Sequence, residues 1–341
     1  MARLLKWSVV LLVLFVAGWS AYWFVTARGQ EEGFQAWLEQ QRKQGWLAEA
    51  SSVEVTGYPL DFRLDAKDLA LSDPRTGWAW KAPALVAESR ADTPTRIAVT
   101  WPETQIIGVP GDRVDINSTR MVTLLDLRPG PSMELREVSG DITELAITAR
   151  SGWKAGADAL DLNIAERAEN LGPEHAYDLR LVGTKIRLPK EIVAAIDPTG
   201  WLRPSVDTLT VKGHAAFDDP LDRLTLEQGR MALRAMTIRE AGFEWGDMRL
   251  VLKGNIEVDD DGYPVGEIKI EAREWRQMIR LAQSTGLIDR EIARQATSAI
   301  EFVTTLTGSG DSLSFPLGLS GGRLRIGPFA VAEAPRLAPP R

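Results

Sequence analysis

The chain has two imidazoles, His175 and His214, and no cysteine. Histidine is the commonest metal ligand and general base, yet these two lie 39 residues apart, a separation that matches no metal motif. A structural role is expected for both, with no metal and no cofactor. The missing cysteine removes disulfides, thiolate catalysis and cysteine-ligated zinc or iron–sulfur sites together. "GSGDS", residues 308–312, contains the Gly-Asp-Ser triplet of certain lipases and esterases, but no histidine follows it to complete a triad, so a loop is expected. "DDDG" at 259–262 offers three carboxylates; a calcium loop needs alternating ligands across about 12 residues, and a turn fits better. Among 47 acids nothing singles out a pair for acid–base hydrolysis of sugars. Phosphate loops, dinucleotide fingerprints and H-E-x-x-H are missing as well. The expectation is a protein with no catalytic residues, not an enzyme.

Aromatic residues are the remaining chemistry. Of twelve tryptophans, Trp78 and Trp80 in "RTGWAWKAP" share parity and would face the same side of a strand. They could pack in a core, or line a groove for a hydrophobic or sugar ligand. The candidates for such a groove are Phe62, Leu64, Trp78, Trp80 and Trp245.

Something must position these residues, and the N-terminus comes first. Trp7 to Val25 is a run of 19 residues interrupted only by Ser8 and Ser20. At 1.5 Å per residue it covers about 28 Å, close to a hydrocarbon core of roughly 30 Å. Trp7 stands at one end and Trp19, Tyr22 and Trp23 at the other, where amphipathic rings prefer the membrane interface. A cleavable signal peptide would have a shorter apolar region and a small-residue cleavage site, whereas this run ends in Tyr, Trp and Phe. An uncleaved single-pass anchor over 1–28 is expected. Arg3 and Lys6 precede the span, which puts the N-terminus in the cytoplasm and the bulk of the chain in the periplasm of a bacterial inner membrane.

"EEGFQAWLEQQRKQGW" then places Phe34, Trp37, Leu38 and Gln41 at helical spacing, giving a juxtamembrane helix over 29–48. Beyond it the period changes to two. In "GYPLDFRLDAKDLAL" Leu60, Phe62 and Leu64 alternate with Asp61, Arg63 and Asp65, and a change of parity before Leu69 calls for a bulge or turn near Ala66 and Lys67. "GYP" recurs 205 residues later, at 262–264, again where one strand hands over to the next. No fixed period links the two copies, so shared turn chemistry is expected rather than duplicated function. Further strands are expected at 224–228, 231–239, 248–258 and 265–271, and two more around Gly321 and Gly322. "EWRQMIRLAQSTG" and "LIDREIARQATSAIEFVTTLTGSG" read as a late helical hairpin, and "PKEIVAAI" as a short helix. The fold class is mainly β, a β-rich α+β protein of curved antiparallel sheets. Residues 49–330 form its periplasmic domain, with room for two subdomains divided near 160–200, and 331–341 form a frayed Pro-rich tail.

Residues 29–341 carry 37 basic residues against 47 acidic ones, a balance that excludes nucleic acid as a partner because phosphate binding needs a concentrated basic face. The anchor, "GYPLDFRLDAKDLAL", "DDDGYPVGEIKIEAREWRQMIRLAQSTGLID" and "FPLGLSGGRLRIGPFAVAEAP" together resemble the bacterial family known as domain of unknown function 2125, over nearly the whole chain. More distantly, the anchor and alternating strands are similar to AsmA-like envelope proteins, whose long curled sheets carry lipids between membranes. Neither resemblance brings catalytic residues. A curved sheet with one apolar face must cover that face with helices, a second sheet or a ligand, and few helices are in the sequence to do so. The expected function is binding or passing lipid along an apolar groove in envelope maintenance. The alternative is a non-enzymatic periplasmic scaffold for other envelope proteins.

Overall fold

The computed structural model describes residues 2–168, 174–198, 200–228, 231–286, 290–291, 294, 297–298, 300–301, 311–327 and 329–339. The chain is mainly β, every strand pairing is antiparallel, and the strands follow one long apolar helix. Two compact units divide at Asp126/Leu127, with 149–151 belonging to the first. The division expected near 160–200 instead falls inside continuously paired strands of the second unit.

In the first unit the anchor and the juxtamembrane helix are a single helix, α1 (Ala2–Lys43). It stops because Gly45, at φ 90, takes up the left-handed turn that lets Trp46 N–H bond back to Gln41 O at 3.1 Å. β1 (Leu47–Glu49) and β2 (Ser52–Thr56) both pair with β3 (Asp61–Asp73), which pairs with β4 (Trp78–Arg90). β5 (Thr93–Thr100) and β6 (Thr104–Val109) both pair with β4, β7 (Asp112–Asn117) with β6, and β8 (Arg120–Leu127) with β5. The bulge expected near Ala66 and Lys67 is not formed: β3 and β4 keep one register from Asp61↔Arg90 to Asp73↔Trp78, and the apolar parity changes instead at Asp68, whose φ is 49. That change restores one apolar face, and the second half of α1 lies on that face. Ala66, Leu69 and Ala82 are buried there under Phe34, with Val53, Leu64, Trp80 and Leu85 around them. Leu38 on α1 is fully buried. Arg42 Nε donates to Ala48 O at 2.6 Å, and Glu31 Oε1 accepts the Val55 N–H at 2.7 Å, so the helix is hydrogen-bonded to the sheet as well as packed on it.

The second unit is a meander in chain order. β9 (Leu135–Ala149), β10 (Lys154–Glu166), β11 (Ala176–Arg187), β12 (Ser205–Phe217), β13 (Leu233–Trp245), β14 (Met248–Val258), β15 (Pro264–Arg273), β16 (Ser312–Ser320), β17 (Arg323–Ile326) and β18 (Phe329–Glu333) each pair with the next. α2 (Lys190–Ile196) and α3 (Arg223–Gln228) are short insertions, and α4 (Trp275–Ser284) is the first arm of the expected hairpin. The second arm, 287–310, lies mostly outside the described residues, as do residues 308–310 of "GSGDS". The strand expected at 224–228 is α3 instead, because the Asp222 carboxylate accepts the Thr225 N–H at 2.7 Å and caps a helical turn.

The two "GYP" turns differ. The first contains a cis Tyr58–Pro59 bond and closes through Asp61 N–H to Gly57 O at 3.0 Å. The second closes through Gly262 N–H to Asp259 O at 2.9 Å, with the Asp259 carboxylate accepting the Tyr263 N–H, and so "DDDG" is a turn. The Pro-rich tail expected to fray is held against it. Leu337 N–H bonds to Gly262 O at 2.8 Å, and the Arg336 guanidinium lies 4.9 Å from the Tyr263 ring centroid. A Cβ on Gly262 would come within 1.9 Å of Ala338 O, so only glycine lets the tail approach this closely.

Candidate functional site

Strand register gives the second unit a face with no polar side chain over eight strands. The middle row runs Gly140, Leu162, Leu181, Val211, Ala241, Leu252, Ile270, Phe315 from β9 to β16, each the cross-strand partner of the next. On one side of it lies Ile142, Leu160, Gly183, Leu209, Phe243, Leu250, Ala272, Leu313. On the other lies Val138, Ile164, Leu179, Gly213, Ile238, Gly254, Ile268, Leu317. Strands about 4.8 Å apart and rows about 7 Å apart give this face a footprint of roughly 34 by 14 Å. That footprint of about 500 Å² is in the range of the largest apolar patch on a monomer, which is often functional.

The opposite face is charged and paired within itself. Arg180 bonds to Asp161, Lys212 to Glu240 at 3.1 Å, Lys253 to Glu271 at 3.2 Å, and Arg239 to Asp178 at 3.1 Å. Lys269 and Lys253 beside Glu271 hold its carboxyl below the usual range. His214 also lies on this side, cross-strand from Asp178. Burial, and then the neighbouring Arg167, push its pKa down, and its Nδ1 is buried without a hydrogen-bond partner. It is therefore a neutral side chain at pH 7.

Both ends of the apolar face are closed. At one, Val206, Trp245 and Met248 are buried among Ile186, Leu188, Leu202, Phe243 and Met278, the last supplied by α4. Trp245 Nε1 donates to Arg203 O at 2.8 Å. At the other, Tyr177 is buried beside Phe217 and its Oη accepts the Leu221 N–H at 3.0 Å; burial raises its pKa. Between the ends the face is accessible. Leu162 is 38% exposed and Val211 37%, while Leu181, Leu252, Ile270 and Phe315 in the same row are only partly buried. One bulge, an extra residue of β13 between Ile238 and Ala241 that shifts its register against both β12 and β14, falls in this stretch, and such a bulge bends the strand and sharpens its twist.

None of the five residues nominated from the sequence stands in these three rows; Phe62 and Trp245 are buried, and Leu64, Trp78 and Trp80 are partly buried. Phe62 is 1% exposed and stacks on Trp23 of α1. Leu64 and Trp80 pack against the cluster under Phe34, with Trp80 Nε1 bonded to Gln105 at 3.0 Å. The Trp78 ring lies 5.7 Å from that of Trp46. Trp245 belongs to the closed end described above. Apart from Phe243 and Phe315, the residues that line the accessible face, Leu162 and Val211 foremost, carry no aromatic signal. Only the strict alternation of "ALDLNIAE", "AYDLRLVG" and "VDTLTVKG" marks them.

Of the nominated anchor residues, Trp7 is 68% exposed on α1, Tyr22 is 40% exposed, Trp19 is partly buried and Trp23 is buried. The apolar side chains from Val9 to Val16 are all exposed, and α1 is long and apolar enough to cross a membrane.

The second unit is thus an antiparallel meander whose apolar face is accessible between its ends among the described residues, in a β-rich chain that opens with a helix long and apolar enough to cross a membrane. Residues 23–335 match the family described as "Uncharacterized protein conserved in bacteria (DUF2125)", and the chain belongs to that family. Comparisons with curated proteins and with solved structures gave no match.

Proposed function

We propose that this is a bacterial inner-membrane protein, anchored by α1 with its N-terminus in the cytoplasm, whose periplasmic apolar face binds or passes lipid in envelope maintenance without catalysing a reaction. The observation that carries the reading is the accessible face itself. Twenty-four positions in register hold only apolar residues or glycine, and exposed leucine and valine stand at its centre. Leaving such a surface to water forgoes about 25 cal/mol per Å² of apolar area, so an acyl chain lying on it would be favourable. Arg3 and Lys6 before the span support the orientation.

The test is photo-cross-linking in cells from benzoylphenylalanine placed at Val211, on the apolar face, or at Lys212, on the charged one. Phospholipid adducts at 211 and none at 212 are expected. Protein adducts at 211 would favour a scaffold for other envelope proteins, and equal lipid labelling at both positions would remove the lipid reading.

A further inference from the structure

Four side chains in one stretch of α1 fasten it to two turns of the first unit. Trp19 Nε1 donates to Pro59 O at 2.8 Å, Trp23 Nε1 to Asp61 O at 2.9 Å and Tyr22 Oη to Ala91 O at 3.0 Å, while Ser20 Oγ and Tyr58 Oη share a bond of 2.8 Å. These turns carry charge. Arg90 and Asp92 form a two-pronged pair, both bonds 2.9 Å long, with side chains 66% and 54% exposed. A charged side chain costs about 3 kcal/mol or more at the centre of a bilayer, so the turns belong at the head-group level. Hydrocarbon against α1 must then end near Gly18, short of Val25 where hydropathy alone would end it.

At that boundary the helix and the β4–β5 turn leave an open cleft of about 580 Å³. Leu14, Phe15 and Gly18 form its lower wall, Trp19 and Tyr22 its side, and Ala91 and Asp92 its rim. A Cβ on Gly18 would meet no atom within 4 Å, which makes this position a notch in the helix surface. The cleft is thus apolar at the depth of acyl chains and charged at the depth of head groups.

We propose that it seats one phospholipid with a zwitterionic, amine-bearing head group, a reading that rests on α1 crossing a membrane. One acyl chain lies along Leu14, Phe15 and the Gly18 notch. The ammonium meets the Asp92 carboxylate and the phosphate meets Arg90, whose pairing with Asp92 occupies only the Nε and Nη2 side of a five-donor guanidinium. The lower wall is bilayer-facing helix surface, so the occupant must come from the leaflet; the rim carries the Asp92 carboxylate, and Arg90, bonded to it, stands just outside the lining with the opposite charge.

The experiment uses the full chain in vesicles of phosphatidylethanolamine and phosphatidylglycerol, with a trace of phosphatidylethanolamine carrying a photoreactive acyl chain and labelled peptides located by mass spectrometry. Labelling concentrated at Leu14–Tyr22 and Ala91–Asp92 is expected. Gly18→Phe, which fills the notch and touches none of the four hydrogen bonds, should cut that labelling about fivefold, a loss of about 1 kcal/mol in occupancy, while labelling of Val9–Val13 stays unchanged. Labelling spread evenly along the span and indifferent to Gly18→Phe would overturn the seat and leave the span standing. No labelling of the span at all would overturn the membrane reading and the seat with it. Equal labelling by a photoreactive phosphatidylglycerol would overturn the assignment of an amine head group.

Discussion

The two units apply one sequence grammar to opposite ends. In both, apolar and polar residues alternate along antiparallel strands, so each sheet has an apolar face. In the first unit, α1 lies on that face: Phe34 packs on Ala66, Leu69 and Ala82, and Leu38 is fully buried. In the second, among the described residues, α4 packs at the Trp245 end, and the middle row stays accessible at Leu162 and Val211. The difference teaches that a strand's pattern identifies its apolar face, whereas the presence of a covering helix decides whether that face is a core or a surface for something else.

Substitutions can break or sharpen this contrast. The largest effect is expected where the face is covered. Phe62→Ala removes a fully buried ring stacked on Trp23 and should cost about 3–5 kcal/mol, measured by denaturant unfolding of the detergent-solubilised chain. Leu38→Ala should follow at about 3 kcal/mol, since it opens a cavity under α1.

Asp207 gives a smaller, pH-dependent effect at the closed end of the second unit. Its carboxylate joins Lys185 on β11 to the Gly246 N–H, 2.8 Å away in the β13–β14 turn, and these bonds lower its pKa below the ordinary 3.8. A carboxyl with a lowered folded pKa stabilises the fold above its unfolded value and loses that contribution as pH falls through the folded one. Asp207→Asn should therefore destabilise by about 1 kcal/mol at neutral pH and flatten the acid limb of stability below about pH 4, as read by thermal unfolding against pH. Smallest of all, Leu162→Ala and Val211→Ala should change stability by less than about 1 kcal/mol, because both side chains are already more than a third exposed. If either costs as much as Leu38→Ala, the second face is a core like the first.

Much of this organisation was legible from residue order. The apolar helix, the change of parity before Leu69, strand β14 at 248–258 and the stop at Gly286 all follow from periodicity and glycine placement. The site was not. Large aromatics drew attention to Phe62, Trp80 and Trp245, and of these Phe62 and Trp245 are buried in packing while Trp80 is partly buried against the cluster under Phe34. The face is built mostly of ordinary leucines, isoleucines and valines, with two phenylalanines among them, and their common side depends on register across eight strands, long-range information that no local window holds. The two "GYP" turns make the same point at short range. Identical letters yield different turns because one receives α1 and the other receives the C-terminal tail.

The central claim is that the second unit's apolar face is open and takes lipid. Because the chain has no cysteine, a single Val211→Cys or Lys212→Cys substitution places one environment-sensitive fluorophore on either face. The measurement is its emission as phospholipid vesicles are added to the detergent-free, reconstituted chain. A blue shift at 211 with none at 212 is the predicted result. An emission at 211 that is already blue and does not respond to lipid would mean a closed core and would contradict the account.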